Sequence, residues 1–149
     1  MTTIFEPTAY QKILNRLNQL QVNSQRQWGK MNAAQMLAHC HAALMVTSGK
    51  TQAPRLFIGR LLGPIFKKSF LGEKPIKKNS PTDKSFIITD ERDFNTEKEQ
   101  LLQLLHEFVS AGEANATKAV HPFFGSLTPQ ERGALVYTHL DHHLQQFGV

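Results

Sequence analysis

Apolar residues recur three and four positions apart along most of this chain, the period of a helix with one face turned to a core. Tyr10, Ile13, Leu14, Leu17 and Leu20 form the first stripe and predict a helix from Pro7 to Leu20. Met36, Leu37, Cys40 and Leu44 form the second, with Asn32 as a good N-cap and Gly49 as a stop signal near Ser48. Leu101, Leu102, Leu104, Leu105 and Phe108 form the third, over Thr96 to Ala111, with Thr96 and Glu99 in the pattern of a capping box. A fourth helix opens on Thr128-Pro129-Gln130-Glu131, which supplies an N-cap, a proline at the first helical position and a glutamate at the third. Leu135, Val136, Leu140, Leu144 and Phe147 mark its inner side, and Gly148 ends it.

Residues 50 to 94 break the pattern. Arg55 to Leu71 reads as a short amphipathic helix bent at Gly63-Pro64, because an interior proline cannot donate to the helix ladder. Phe57, Phe66 and Phe70 fall at helical spacing and are expected to pack inward. Gly72, Pro75, Asn79, Ser80 and Pro81 read as loop, and Phe86-Ile87-Ile88 as a short extended piece. No alternation is long enough for a sheet. The prediction is an all-α fold: a four-helix bundle with a long crossover between the second and third helices, one domain over residues 1–149.

Composition narrows the function classes. A chain of 149 residues, 40% apolar with ten Phe, can bury a core without staples. No apolar run approaches the ~20 residues that span a bilayer. Glu6 and Pro7 near the N-terminus leave no apolar signal core, and the single Cys40 cannot form an intrachain disulfide. A cytoplasmic, reducing setting without membrane insertion is the expectation.

The net charge of +5 is uneven. Lys50, Arg55, Arg60, Lys67, Lys68, Lys74, Lys77 and Lys78 face only Glu73, so residues 50–78 carry +7 and the rest −2. Residues 83–113 are acidic, so the two segments either pair within the fold or leave an anion-binding surface. No helix-turn-helix signature accompanies the cations, which argues against nucleic acid as partner. The same Phe-rich basic segment is also a candidate homodimer surface.

Histidines carry the candidate chemistry. On a helix, His139 and His143 lie four apart on one face, within or beside the buried stripe. His142 is turned about 100° from His143 and belongs near the rim, although His139 with His142, three apart, is a second possible pair. On the second helix His39 falls inside or at the edge of the core stripe, while His41 faces elsewhere and Cys40 would need a different rotation. His39, His139 and His143 are therefore the expected metal ligands. Three neutral imidazoles leave a divalent ion its full charge and an open position, the mark of a catalytic site. Imidazoles suit zinc, nickel, iron and copper alike. His121 reads as a turn or rim residue, His106 as solvated, and Asp141 as solvent-facing or as a partner for an imidazole N–H.

The stretch from Trp28 to His39 (WGKMNAAQMLAH) and that from His121 to Val149 (HPFFGSLTPQERGALVYTHLDHHLQQFGV) resemble the DinB-like metalloenzyme superfamily. They look closest to one of its bacterial branches without an assigned reaction. The resemblance implies a four-helix bundle with a metal held by one histidine of the second helix and an HxxxH pair of the fourth, which fall on His39, His139 and His143. It also implies a low-molecular-weight thiol as cofactor, since members include glutathione-, mycothiol- and bacillithiol-dependent transferases and isomerases. Arg132 stands where the resemblance leads one to expect a tryptophan.

Two functions follow as expectations. One is a metal-dependent S-transferase acting on a small-molecule substrate, with zinc or nickel as the ion and Arg55 to Lys78 holding the carboxylates of the thiol. The other is a non-catalytic helical binding module whose basic 50–78 segment contacts nucleic acid or an anionic membrane surface. A metal-free helical protein is the blandest reading.

Overall fold

The computed structural model describes residues 1–52, 57–72, 75–80 and 84–149. Five α-helices are present among them: α1 Pro7–Gln19, α2 Ala33–Thr47, α3 Phe57–Phe70, α4 Phe94–Ala111 and α5 Pro129–Gln146. Short 3₁₀ turns occur at Lys84–Phe86 and Glu113–Asn115, and no strand occurs among the described residues. α1, α2, α4 and α5 lie where the apolar stripes put them. α2 packs most extensively on α4, and α5 packs on both α1 and α2. Ile13, Leu17, Leu37, Leu101, Leu105 and Leu144 are almost fully enclosed between them. Each such side chain contributes about 1.5–3 kcal/mol through burial.

Caps fix where two of these helices begin. Asn32 Oδ1 accepts from Gln35 N at 2.9 Å, and Gln35 Oε1 accepts from Asn32 N at 3.0 Å. Thr128 and Glu131 form the same reciprocal pair at α5. At α4 the expectation fails: the helix begins at Phe94, and Asp93 is its cap. Asp93 Oδ1 accepts from both the backbone N–H and the hydroxyl of Thr96, at 2.8 and 2.7 Å. A carboxylate also complements the positive end of the helix dipole, which a threonine cannot do.

The crossover departs further from expectation. Phe86 closes a 3₁₀ turn and is not part of an extended piece. α3 runs through Pro64, and Arg55 lies outside the described residues. Phe66 and Phe70 do pack inward, on Phe123 and Phe124 with ring centroids 5.7 and 5.2 Å apart. Phe57 does not, being 82% exposed. The reason is the closeness of α3 to the 121–125 turn. A Cβ on Gly59 would sit 2.7 Å from Phe123 Cα, and one on Gly63 2.3 Å from Phe123 O. The two glycines take the inner face at backbone distance, so the apolar residues 100° or more away are turned out.

Charge is only partly paired. Lys50 pairs with Glu107, linking the basic segment to the acidic one. Lys67 reaches Glu131 Oε2 at 2.8 Å and so ties α3 to the start of α5. No described helix is long and apolar enough to cross a membrane.

Candidate metal centre

His39 stands one turn beyond the α2 capping box, whose Gln35 also donates to Asp90 O at 3.1 Å. These bonds set the rotation of α2 and aim His39 at α5. His139 and His143 share the facing side of α5, four residues apart. The three imidazoles form a nearly equilateral triangle, with ring centroids separated by 5.0 Å (39–139), 4.7 Å (39–143) and 4.7 Å (139–143). One nitrogen from each lies within 4.8 Å of the others. The three are thus close enough to hold one metal ion.

Two of the rings are oriented from behind. His39 Nδ1 donates to Phe86 O at 2.8 Å, and His143 Nδ1 donates to Gln146 Oε1 at 2.9 Å. With Nδ1–H so engaged, each Nε2 keeps a lone pair directed at the triangle. This is the arrangement that metal-ligating histidines use. Gln146 is itself held, because its amide donates to Trp28 O at 2.7 Å. Gly29 makes that clasp possible: its φ is +80°, and a Cβ there would meet Gln146 Nε2 at 2.5 Å.

His39 Nε2 and His139 Nε2 are 3.1 Å apart. Two nitrogens sharing a tetrahedral ion at ordinary zinc–imidazole lengths lie roughly 3.3 Å apart. The spacing therefore suits either one shared proton or one shared ion.

The electrostatics keep the rings neutral. Burial pushes the His143 imidazole down to about 3 from an ordinary 6.5. Burial, then the neighbouring imidazoles of His143, His39, His142 and His121, holds His139 well below its usual value. His39 is lowered by burial, against the opposing effect of its bond to Phe86. Neutral imidazoles are the form that binds metal.

The remaining candidates separate. His142 is half-buried at the rim, its ring 5.5 Å from that of Trp28, and Lys78 Nζ lies 4.6 Å over the indole. His121 closes the 121–125 turn, where its Nδ1 accepts from Phe123 N and Phe124 N. His106 is exposed and bonds to Tyr10 and Ser110. Cys40 is buried beside Met36, where burial raises its thiol pKa. Asp141 is partly exposed, and among the described residues no hydrogen bond joins it to an imidazole. It pairs with Arg16 at 2.5 Å and accepts from Gln145 at 2.6 Å.

Phe86, Gln146 and Trp28 support the cluster without being site candidates in the sequence. Gln146 had a signal, since a residue three beyond His143 on a helix is its neighbour. The Phe86 carbonyl and the Trp28 ring come from loops whose positions no periodicity encodes.

No curated protein and no solved structure matches the chain. Residues 5–148 match the family described as "Protein of unknown function (DUF1569)", and the chain belongs to that family.

Proposed function

We propose that this protein is a divalent-metal-dependent enzyme on a four-helix-bundle scaffold, with His39, His139 and His143 as ligands and zinc or nickel as the ion. The observation that carries the proposal is the triangle of neutral imidazoles with two Nδ1–H groups committed outward. When bound, a divalent ion supplies Lewis acidity and lowers the pKa of a water or thiol beside it. The chain's own residues do the positioning. Phe86 O and Gln146 hold the rings, and burial keeps them unprotonated.

The DinB-like resemblance favours a low-molecular-weight thiol as cofactor and an electrophilic small molecule as substrate. Lys78, over the Trp28 ring that itself faces His142, places one cation of the basic segment on the His142 side of the centre. It is suited to a carboxylate of such a thiol. Arg55 and Lys74, which the same reading would use, lie outside the described residues.

Elemental analysis of protein purified without a histidine tag tests the metal. About one ion per chain is expected, falling below about a tenth in His39→Ala and in His143→Ala. Turnover of an electrophile only with added thiol then supports transfer. Absence of uptake on titration with zinc and with nickel would sink the enzyme reading and leave the helical binding module, which the exposed Arg60 and Lys68 favour.

Gln146 gives a finer test. Gln146→Leu removes the acceptor for His143 Nδ1–H and is expected to lower zinc affinity about 10–100-fold, read by competition with a chelating dye. Gln146→Glu keeps the acceptor and should retain affinity. Equal losses in both would mean that only the clasp to Trp28 matters.

A further inference from the structure

Among the described residues nothing covers the outer face of α3, and its composition says what it is built to meet. Phe57, Leu61 and Ile65 are 82, 70 and 68% exposed and follow one another four residues apart. On a helix they form one stripe, to which exposed Pro64 adds. Exposed Arg60 flanks the stripe and exposed Lys68 ends it, so the face extends about 17 Å along the helix. Residues 57–72 contain no carboxylate. Among the described residues neither Arg60 nor Lys68 has an ion-pair partner. The inner face is anchored independently, by Gly59 and Gly63 on the Phe123 backbone and by Lys67 on Glu131. α3 is therefore an anchored helix that shows solvent an apolar stripe whose exposed charged neighbours on the helix, Arg60 and Lys68, are both positive.

From this geometry we infer that α3 is a docking surface for anionic lipid, seating the protein on a membrane without crossing it. A helix lying in the headgroup plane buries such a stripe while its cations meet lipid phosphates. The charge pattern discriminates against the other occupants. Two copies paired through this face would bring Arg60 and Lys68 against cations of the same kind, with no carboxylate on the helix to offset them. A nucleic acid would meet the cations but leave Phe57, Leu61 and Ile65 against a phosphate backbone that gains nothing from them. The inference is independent of the metal centre.

The test is vesicle co-sedimentation of the full chain. With phosphatidylcholine vesicles containing about one third phosphatidylglycerol, the partition coefficient should exceed that for pure phosphatidylcholine by about tenfold or more. Leu61→Glu should reverse the gain, as should Arg60→Glu combined with Lys68→Glu, and high salt should weaken binding. Leu61 is exposed, so the fold should tolerate the change. Ile65→Ser is the milder variant and should weaken binding in the same direction. No sedimentation with anionic vesicles would overturn the proposal, as would binding that all the variants retain. A wild-type dimer that Leu61→Glu dissociates in the ultracentrifuge would assign the face to a second copy and overturn it equally.

Discussion

Lowering the pH from about 7 to about 5 is expected to remove about 4 kcal/mol of stability from the metal-free protein, a large part of what a domain this size possesses. The sign follows from the direction of the shifts. His143 and His139 bind protons less readily folded than unfolded, since burial holds His143 at about 3 and His139 well below 6.5. Below pH 6.5 the unfolded chain takes up protons that the folded chain refuses, so stability is complete above 6.5 and falls as the pH drops. Each refused proton costs about 1.36 kcal/mol per pH unit, or about 2 kcal/mol per histidine by pH 5. His39 is displaced the same way and adds to the loss. Among the described residues no carboxylate hydrogen-bonds to any of the three rings, and the other charges that act on His139 and His143, those of His142 and His121, push in the same direction. Urea unfolding across this range measures the effect, and His143→Leu should flatten the slope by about one proton. Stability that stays level between pH 7 and 5 would mean the cluster opens to water without unfolding. A divalent ion sharpens the contrast. At about a hundred times its dissociation constant it adds about 2.7 kcal/mol near pH 7. That gain should be lost near pH 5, where protons compete for the same nitrogens.

How much of this was legible in the sequence depends on the range of the interaction. Helix positions follow from local periodicity. The His39, His139 and His143 grouping follows from that periodicity plus the requirement that apolar stripes face one another. What surrounds the cluster does not follow. The Phe86 carbonyl reaches His39 across 47 residues of chain, from a turn that looked extended. Trp28 is brought to Gln146 and His142 by a loop. Thr96 and Glu99 have the spacing of a capping box and so mask Asp93 as the cap, and only geometry shows that Thr96 donates to Asp93. Helical spacing alone points Phe57 inward, whereas it is exposed. Spacing says which residues share a face, and the approach of Gly59 and Gly63 to the 121–125 backbone decides which face is inner.

Arg132→Met is expected to destabilise the fold by about 3 kcal/mol, lowering Tm by about 6–12 °C. Arg132 is 1% exposed and lies in the first turns of α5, with no ion pair to a carboxylate among the described residues. Its Nη1 donates to Thr47 O at 2.8 Å and its Nη2 to Ala119 O. Nε has no partner and is the one buried side-chain polar atom so placed among the described residues. Two opposing effects must be weighed. Burying a guanidinium near the positive end of a helix is costly, and burial lowers its pKa accordingly. Methionine would remove that cost at similar volume. Yet Thr47 O lies at the negative end of the α2 dipole, and while Ser48, Gly49 and Thr51 N–H serve the carbonyls of Leu44, Val46 and Met45, it is Arg132 that donates to Thr47 O. With methionine in place, the Thr47 and Ala119 carbonyls lose their donor, at about 1–3 kcal/mol each. Removing the cost of one unbonded Nε recovers less than that, so the loss of donors wins. Arg132→Lys keeps the charge but cannot fork to two carbonyls, and should fall between the two. The comparison by urea unfolding is direct. Stability equal to or above wild type in Arg132→Met would show that the buried charge is a net burden and that the two carbonyls find water once it is gone.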